Sequence, residues 1–357
     1  MKTYLVTGGA GFIGSNYVLQ LLRKQSDVLV LNVDKLTYAG NLANLASIEG
    51  DERHRFIQAD ICDRDAMTRL FSEQPIDYVV NFAAESHVDR SITNPQIFVQ
   101  TNVLGTVNLL QCAKQAWHEG EDEAGVDQYR AGVRFLQVST DEVYGSLGPQ
   151  GFFTEQTPLD AHSPYSASKA AADLLVKAFG DTYGLPINIT RCSNNYGPFQ
   201  FPEKLIPLML NNALHHEPLP VYGDGEQVRD WLYVEDHCAA LDLVLEHGVA
   251  GEVYNIGGHN ERTNLQIVTQ IIDYVHEHVD AAVGAQLIRH VKDRKGHDRR
   301  YGIDPTKIRD ALGWQPQTAF EDGIIKTIQW YLANQDWVAD VTSGAYRDYY
   351  QQVYGDR

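Results

Sequence analysis

Residues 7–14 read TGGAGFIG, and this stretch decides the fold of the 357-residue chain. It contains Gly9-x-Gly11-x-x-Gly14 and, equally, Gly8-x-x-Gly11-x-x-Gly14. A strand-like run, TYLVTG (3–8), precedes it, and an amphipathic helical pattern over 12–24 follows. Such glycines let a backbone approach a pyrophosphate at a helix N-terminus, where free N–H groups and the helix dipole favour negative charge. A tight strand-to-helix turn alone would also use glycine, so the context has to decide.

Asp34 supplies that context, because it ends the next apolar run, VLVLNVD (28–34). A carboxylate at this place accepts a hydrogen bond from an adenosine ribose and repels a 2′-phosphate, which favours NAD over NADP. Lys35 follows it and weakens that preference. Asp60 and Ile61 are placed to contact adenine or simply to end a strand. We therefore expect NAD to be bound by the glycine loop and the ends of four strands: Gly8, Gly11, Phe12, Ile13, Gly14, Asp34, Lys35, Thr37, Asp60, Ile61, Ala83, Ala84 and Ser86.

Short, nearly continuous apolar runs recur along the first half of the chain. They are TYLVTG (3–8), VLVLNVD (28–34), RFIQAD (55–60), DYVVNFAA (77–84), VRFLQVS (133–139) and INITRC (187–192). Such runs suit strands that are buried on both faces of a parallel sheet. Helical patterns at 12–24, 64–73, 96–117 and 164–183 alternate with them. The alternation predicts right-handed βαβ units and an α/β fold with a Rossmann-type doubly wound parallel sheet.

After about residue 193 the sequence changes to loops rich in Asn, Pro and Gly, between helical patterns at 203–214, 234–247, 264–278, 305–312 and 320–335. EVYNIGG (252–258) is a further strand pattern. We expect an NAD-binding domain over 1–193, to which 231–258 returns. A smaller mixed α/β substrate-binding lobe would consist mainly of 194–230 and 259–357.

The bulk composition excludes several classes of function. A net charge of −18 argues against a general affinity for nucleic acid or membranes, since no basic field attracts phosphates. No apolar run approaches the roughly 20 residues that span a bilayer. The chain enters its glycine loop too soon for a signal peptide. The four cysteines are far apart and predict buried free thiols in a reducing cytoplasm. Histidines at 215–216 and 276–278 lack a third spaced ligand, so we expect no metal.

SPYSASKAAAD (163–173) places Tyr165 and Lys169 four residues apart, which is one face of a helix. A tyrosine of pKa about 10 is too weakly ionised to act as a base near neutrality. Lowering that pKa by ~3 units takes roughly 4 kcal/mol, which the Lys169 ammonium and a cationic nicotinamide can supply. The alternative is a surface tyrosine and lysine on an alanine-rich helix.

VSTDEVYG (138–145) presents two adjacent carboxylates, Asp141 and Glu142, at the end of an apolar run. Ser139-x-x-Glu142 fits a capping box, so the acids could be structural. Neighbours on a regular strand point to opposite faces, so both acids can face one substrate only if the strand breaks into a turn at Asp141. Two carboxyls in different environments can then serve as acid and base.

Together these motifs resemble the extended short-chain dehydrogenase/reductase family over essentially the whole chain. Within it they look like the dTDP-glucose 4,6-dehydratase subgroup, on STDEVYG with Tyr165-x-x-x-Lys169 and on supporting segments. These are DKLTYAGN (34–41), AAESHVDRSI (83–92), SNNYGPFQFPEKLIP (193–207), VRDWLYVEDH (228–237), YNIGGHNE (254–261) and KGHDRRY (295–301). Lys295 departs from the subgroup, which usually has proline there, and we expect a small change in loop stiffness.

The resemblance implies a three-step reaction in which Thr140 assists Tyr165 and Lys169. Tyr165 takes the C4 hydroxyl proton as hydride passes to NAD; Glu142 removes the C5 proton as Asp141 protonates the departing C6 hydroxyl; hydride then returns to C6. It also implies that Tyr165, Lys169, Thr101, Asn102 and Asn195 contact the cofactor. The nucleotide sugar would be held by Ser86, Thr140, Asn194, Lys204, Leu205, Pro220, Val221, Tyr222, Arg229, Asn264, His297 and Tyr301.

Two other functions stay open at this point. Another NAD-dependent sugar-nucleotide enzyme, an epimerase or decarboxylase, would use Thr140, Tyr165 and Lys169 but needs no acid to expel the C6 hydroxyl. A non-catalytic NAD-binding regulator would bind nucleotide without turnover. The family also implies a homodimer through the helices near 96–117 and 164–183.

Overall fold

The computed structural model describes residues 1–293 and 296–343; Lys295 and the end of the predicted second lobe lie outside them. The strands are β1 (Lys2–Thr7), β2 (Val28–Asp34), β3 (His54–Gln58), β4 (Tyr78–Asn81), β5 (His118–Glu121), β6 (Asp127–Tyr129), β7 (Arg134–Thr140), β8 (Ile187–Cys192), β9 (Asn194–Tyr196), β10 (Leu219–Tyr222), β11 (Val228–Tyr233), β12 (Val253–Ile256), β13 (Glu261–Thr263) and β14 (Ile288–Val291). The helices are α1 (Phe12–Lys24), α2 (Arg64–Glu73), α3 (Val88–Thr93), α4 (Pro95–Phe98), α5 (Thr106–Trp117), α6 (Pro164–Tyr183), α7 (Leu205–Leu214), α8 (Val234–His247), α9 (Asn264–His278), α10 (Thr306–Leu312), α11 (Phe320–Ala333) and α12 (Gln335–Val341).

A seven-stranded sheet in the order β12-β8-β7-β4-β1-β2-β3 forms the centre of the fold. Every neighbouring pair in it is parallel. The chain runs outward from β1 to β3 and then returns to pair β4 on the other side of β1. The carboxyl ends of β1 and β4 therefore bound the crevice in which such sheets bind ligands. The predicted doubly wound α/β fold is confirmed.

The apolar runs form strands because both faces of the sheet are covered. Tyr4 and Val6 of β1 pack with α1 and α8, whereas Leu5, between them, packs on the opposite face with residues of α2, α5 and α6. The same alternation continues in β2, where all seven residues are buried. Period-two alternation of this kind is what a strand between two helical layers requires.

The later part of the chain adds a second apolar core, formed by α7, α9 and α11 with residues of three small-sheet strands. β10 pairs in parallel with β14, and β11 lies between β13 and β9. β12 joins the edge of the main sheet beside β8, and α8 contributes to the core around α1. The division of the chain into two lobes at the stated residues stays a prediction.

Three local features differ from the sequence expectations. The helix predicted over 96–117 is interrupted by a π-helical turn, Val99–Gly105, between α4 and α5. The antiparallel β5–β6 hairpin was not predicted. The strand predicted over 77–84 ends at Asn81, since the chain leaves the sheet there. The four cysteines are free, three of them buried and Cys62 half-buried. Within the described ranges, no helix is both long and apolar enough to cross a membrane.

Candidate active site

A cavity of about 340 Å³ opens at the carboxyl ends of β1, β2, β4 and β7. All the residues that the sequence assigned to the cofactor except Asn102 lie in its wall, from the glycine loop at one end to Tyr165, Lys169 and Asn195 at the other. Thr140, Asp141 and Glu142 line it as well. The fold thus brings together residues that are up to 187 positions apart, from Gly8 to Asn195. Their individual roles stay predictions.

The glycine loop fits a pyrophosphate because side chains are excluded from it. Gly8 has φ +71°, and a Cβ there would lie 2.8 Å from the Ala83 nitrogen. A Cβ on Gly14 would lie 2.3 Å from the Gly8 oxygen, so the loop and α1 touch backbone to backbone. No side chain caps the start of α1 at Gly11 within the described part of the chain. The first N–H groups of the helix therefore remain available to an anion at the cavity wall.

The adenosine end of the cavity carries a net negative charge. Asp34 accepts hydrogen bonds from the Ala10 nitrogen at 3.0 Å and the Leu36 nitrogen at 2.8 Å. Lys35, which weakened the preference for NAD, is instead paired with Asp60 at 2.6 Å. Two carboxylates thus face one ammonium, which disfavours a 2′-phosphate. The residues present therefore fit NAD.

Strand β7 ends at Thr140, and a 3-10 turn over Asp141–Tyr144 follows at once. The break that the sequence required at Asp141 is therefore present. Thr140 caps the turn, since its hydroxyl accepts from the Glu142 nitrogen at 3.2 Å. The cap is thus supplied by Thr140 and not by Ser139, Asp141 or Glu142. This leaves both acids in the cavity wall.

Asp141 is buried and keeps one carboxyl oxygen available. Its Oδ1 accepts from the Thr140 hydroxyl at 3.3 Å, and its Oδ2 has no hydrogen-bond partner within residues 1–293 and 296–343. Burial, followed by the charges of Glu142 and Asp230, raises the pKa of Asp141 well above its usual value. A carboxyl in this state retains its proton where an exposed one has lost it, so it can act as an acid.

Tyr165 lies in the first turn of α6, which Ser163 fixes through a capping box with Ser166. Burial, followed by the charge of Glu142, raises the pKa of Tyr165 well above its usual value. This direction is opposite to the sequence expectation. The Lys169 ammonium donates to the Val138 carbonyl at 2.8 Å, and burial lowers its own pKa. The net shift of the Tyr165 pKa is therefore upward despite the presence of Lys169, and the nicotinamide cation is the remaining source of a lower pKa that the sequence argument named.

A second cavity, of about 160 Å³, adjoins the first, and six residues, among them Glu142, Asn194 and Lys204, line both. Most of the predicted substrate residues are in its wall: Asn194, Lys204, Leu205, Pro220, Val221, Tyr222, Arg229, Asn264 and His297. Ser86 and Thr140 line the first cavity instead. A sugar held between the cavities would thus lie next to Glu142 while its nucleotide extends away from the cofactor site.

Tyr301 is the exception among the predicted substrate residues, because it lines neither cavity. Its hydroxyl donates to Asp298 Oδ2 at 2.6 Å, and the Arg229 guanidinium lies 4.2 Å from its ring centre. Tyr301 thus packs against Arg229 without lining either cavity itself. Asn102 likewise turns its amide away, to the Glu85 backbone and the Ser168 hydroxyl.

Sequence reasoning missed several polar residues of the cavity walls, among them Glu85, Gln200 and Glu203. Glu203 is buried, and its Oε1 accepts from the Tyr38 hydroxyl at 3.1 Å. These three residues lie inside the motif segments AAESHVDRSI and SNNYGPFQFPEKLIP. Their place in these segments was the sequence signal that could have identified them. Among the residues that the structure describes, no group of three or more His, Cys, Asp or Glu could hold a metal ion.

The fold and the site together define a dinucleotide-binding enzyme of the extended short-chain dehydrogenase/reductase class. The family model described as GDP-mannose 4,6 dehydratase matches residues 5–327, and the chain belongs to that family. A curated relative, dTDP-glucose 4,6-dehydratase of Xanthomonas campestris pv. campestris (strain B100), is 55% identical over 97% of this chain and 98% of its own length.

Solved structures agree with this assignment. dTDP-glucose 4,6-dehydratase from Bacillus anthracis, in complex with NAD, is 46% identical, with a TM-score of 0.84 over 96% of this chain and 100% of that one. DesIV, a dTDP-glucose 4,6-dehydratase from Streptomyces venezuelae with NAD bound, is 48% identical, with a TM-score of 0.85 over 94% of this chain and 98% of that one.

Proposed function

We propose that this chain converts dTDP-glucose into dTDP-4-keto-6-deoxy-glucose and water, with NAD as a bound cofactor. The observation that carries the proposal is Asp141, a buried carboxyl of raised pKa beside Glu142 in the cavity that also contains Tyr165. The nucleotide and the sugar are supported by the near full-length similarity to dTDP-glucose 4,6-dehydratases.

The residues that would hold NAD are the backbone of the glycine loop for the pyrophosphate, Asp34 for the adenosine ribose, and Tyr165 with Lys169 at the opposite end. A bound NAD would supply the acceptor for the C4 hydride, the donor of that hydride to C6, and the positive charge of the oxidised nicotinamide. Because Tyr165 is buried, water is kept from competing with the phenol for the proton of the C4 hydroxyl.

In the first stage Thr140 orients the C4 hydroxyl and Tyr165 removes its proton. The Thr140 side chain already accepts from the Glu142 nitrogen, so its rotamer is fixed before the sugar enters. Lys169 is fixed as well, through the Val138 carbonyl on the strand that carries Thr140. The three groups thus keep their relative positions through contacts within β7 and α6.

In the second stage the ketone at C4 acidifies the neighbouring C5–H bond. Glu142 removes the C5 proton, the C6–O bond breaks, and the Asp141 O–H proton leaves with the oxygen as water. Glu142 ends protonated and Asp141 ionised, and a proton later returns to C5. Asp141 Oδ2, which has no partner among the residues that the structure describes, is the atom that suits this donation.

The main alternative is a 4-epimerase, which has no use for a proton donor at C6. To decide, the purified protein is incubated with saturating NAD and either dTDP-glucose, dTDP-galactose or UDP-glucose, and the products are identified by mass spectrometry and NMR. We expect dTDP-glucose to lose one water and gain a C4 ketone. Interconversion of dTDP-glucose and dTDP-galactose without water loss would favour the epimerase, and unchanged sugars would favour a binding protein.

The proposal includes assembly into a homodimer in the cytoplasm. Large apolar side chains are exposed on the two helices that the sequence singled out: Val99 at 50%, Leu104 at 58% and Leu174 at 61%. Exposed apolar groups that cluster on neighbouring helices favour a contact between copies. The cytoplasmic location rests on the four free thiols, which suit a reducing compartment.

A further inference from the structure

The turn that carries Asp141 and Glu142 is held from behind by its last residue, Tyr144. This tyrosine is 3% exposed and lines neither cavity. Its hydroxyl accepts from Arg191 Nη1 at 3.0 Å and donates to Asn255 Oδ1 at 2.8 Å. The Arg191 guanidinium also lies 4.9 Å from the centre of the tyrosine ring. Tyr144 therefore ties the turn to β8 and to β12.

Arg191 connects this contact to the helix that carries Tyr165 and Lys169. Its Nε donates to Asp173 Oδ2 at 2.9 Å, and both residues are buried. Asp173 follows Lys169 by one helical turn on α6, so the two lie on the same face. One guanidinium therefore bridges the two elements that supply the catalytic groups. The planar fork of arginine allows this, since two different nitrogens make the two bonds.

Asn255, which accepts from the Tyr144 hydroxyl, is itself held by further hydrogen bonds. Asn255 donates from its side chain to the Phe153 carbonyl at 3.1 Å, and its backbone nitrogen donates to Glu155 Oε1 at 2.8 Å. The Phe153 ring stacks on Tyr144 with centroids 5.0 Å apart and an angle of 23° between the planes. Tyr144 is thus held at two places, by stacking on the face of its ring and by hydrogen bonds at its hydroxyl.

We propose that Arg191 and Tyr144 are positioning residues that hold the Asp141–Glu142 pair in register with Tyr165. The inference rests on the proposed function, because it assigns the pair to elimination and Tyr165 to oxidation. Loss of the Tyr144 hydroxyl frees the turn and leaves Tyr165 and Lys169 on an intact α6. The defect should therefore fall on water loss and spare oxidation at C4. A displacement of about 1 Å can cost about 100-fold in rate.

The test uses Tyr144→Phe, which keeps the ring and its stacking and removes only the hydroxyl. We expect kcat for water loss to fall about 10- to 100-fold, with KM for dTDP-glucose and single-turnover C4 oxidation unchanged within about twofold. The isotope effect of a C5-deuterated substrate should rise, since elimination becomes rate-limiting. Tyr196→Phe is the matched control, because that buried hydroxyl has no hydrogen-bond partner in the described part of the chain.

Arg191→Lys adds a second variant, which keeps the charge opposite Asp173 but replaces the two-nitrogen fork by one ammonium. We expect the same selective loss of water elimination as in Tyr144→Phe. Unchanged elimination in both variants would overturn the proposal, and so would an equal fall of oxidation and elimination. The wild type and Tyr196→Phe must form the 4-keto-6-deoxy product in the same assay; if they do not, the proposed function has failed and not the positioning role.

Discussion

At the scale of single residues, the proposed chemistry depends on a buried acid, Asp141. Asp141→Asn keeps the size and polarity of the side chain but removes the proton that the departing hydroxyl needs. We expect water loss to fall by about 10²- to 10⁴-fold, the usual contribution of a general acid, while C4 oxidation survives. Separate quantification of the 4-keto intermediate and the dehydrated product checks this. Undiminished formation of the dehydrated product would contradict the role of Asp141.

Asp141→Asn should also change how the stability of the folded protein depends on pH. Burial raises the pKa of Asp141 above that of the unfolded chain. The wild type therefore loses folding free energy as pH rises from the unfolded value of about 3.9 through the folded pKa. Asn does not titrate, so the melting temperature of Asp141→Asn should rise relative to that of the wild type as pH increases from about 4 to 8. A constant difference across that range would mean that Asp141 is not perturbed.

Glu142 should control the pH dependence of oxidation, because its charge is the second cause of the raised pKa of Tyr165. Oxidation needs the ionised phenol and so increases with pH through that pKa. Glu142→Gln removes the negative charge, which lowers the pKa and moves this increase to lower pH. The measurement is the single-turnover C4 oxidation rate against pH. A profile that stays in place or moves to higher pH would contradict the arrangement.

At the scale of elements, the close packing of the glycine loop gives a direct test. An added Cβ at Gly14 would lie 2.3 Å from the Gly8 oxygen, and that oxygen belongs to backbone that cannot yield cheaply. Gly14→Ala should therefore contain much less NAD than the wild type after both are incubated with NAD and desalted, and its melting temperature should be lower. Gly148→Ala is the control, since a Cβ there meets nothing within 4 Å. Equal NAD content in the two variants would argue against this loop as the pyrophosphate site.

The elements that the sequence predicted best are those whose own residues specify them. α1, β2 and α6 have the predicted limits because a glycine loop, a fully buried run and a capping box define them locally. The β5–β6 hairpin was missed because HEGE and DQY are polar and mostly exposed. The pairing of β10 with β14 joins distant segments, which no local pattern reveals.

Within the site, too, the sequence predicts local arrangements better than contacts between distant segments. Spacing placed Tyr165 beside Lys169 on one helical face, and the strand break at Asp141 allowed both acids to line one cavity. Other contacts depend on how separate strands and helices pack, so the sequence does not predict them. Examples are the hydrogen bond of Lys169 to the Val138 carbonyl and the hydrogen bonds of Tyr144 to Arg191 and Asn255. Burial, which decides the pKa of Asp141 and Tyr165, is likewise a property of the folded chain.

At the scale of the whole molecule, the exposed apolar side chains on α6 and on the π-helical turn predict the assembly. The double variant Leu104→Asp with Leu174→Asp should shift the protein from dimer to monomer, because it puts charges into the proposed contact. Sedimentation velocity measures the change. Val249→Asp is the control, at a similarly exposed position (64%) outside both helices. A double variant that remains dimeric would place the interface elsewhere.

Elimination across C5 and C6 in this active site would leave an isotopic label in the product, which deuterium incorporation detects. The purified protein is incubated with dTDP-glucose in heavy water, without added NAD, and the product is analysed by mass spectrometry and NMR. We predict the loss of one water and the gain of one deuterium at C5, because Glu142 exchanges the C5 proton with solvent before a proton returns. A dehydrated product without deuterium at C5 would contradict this role of Glu142. Sugar that stays unchanged even after NAD is added would contradict the dehydratase activity itself.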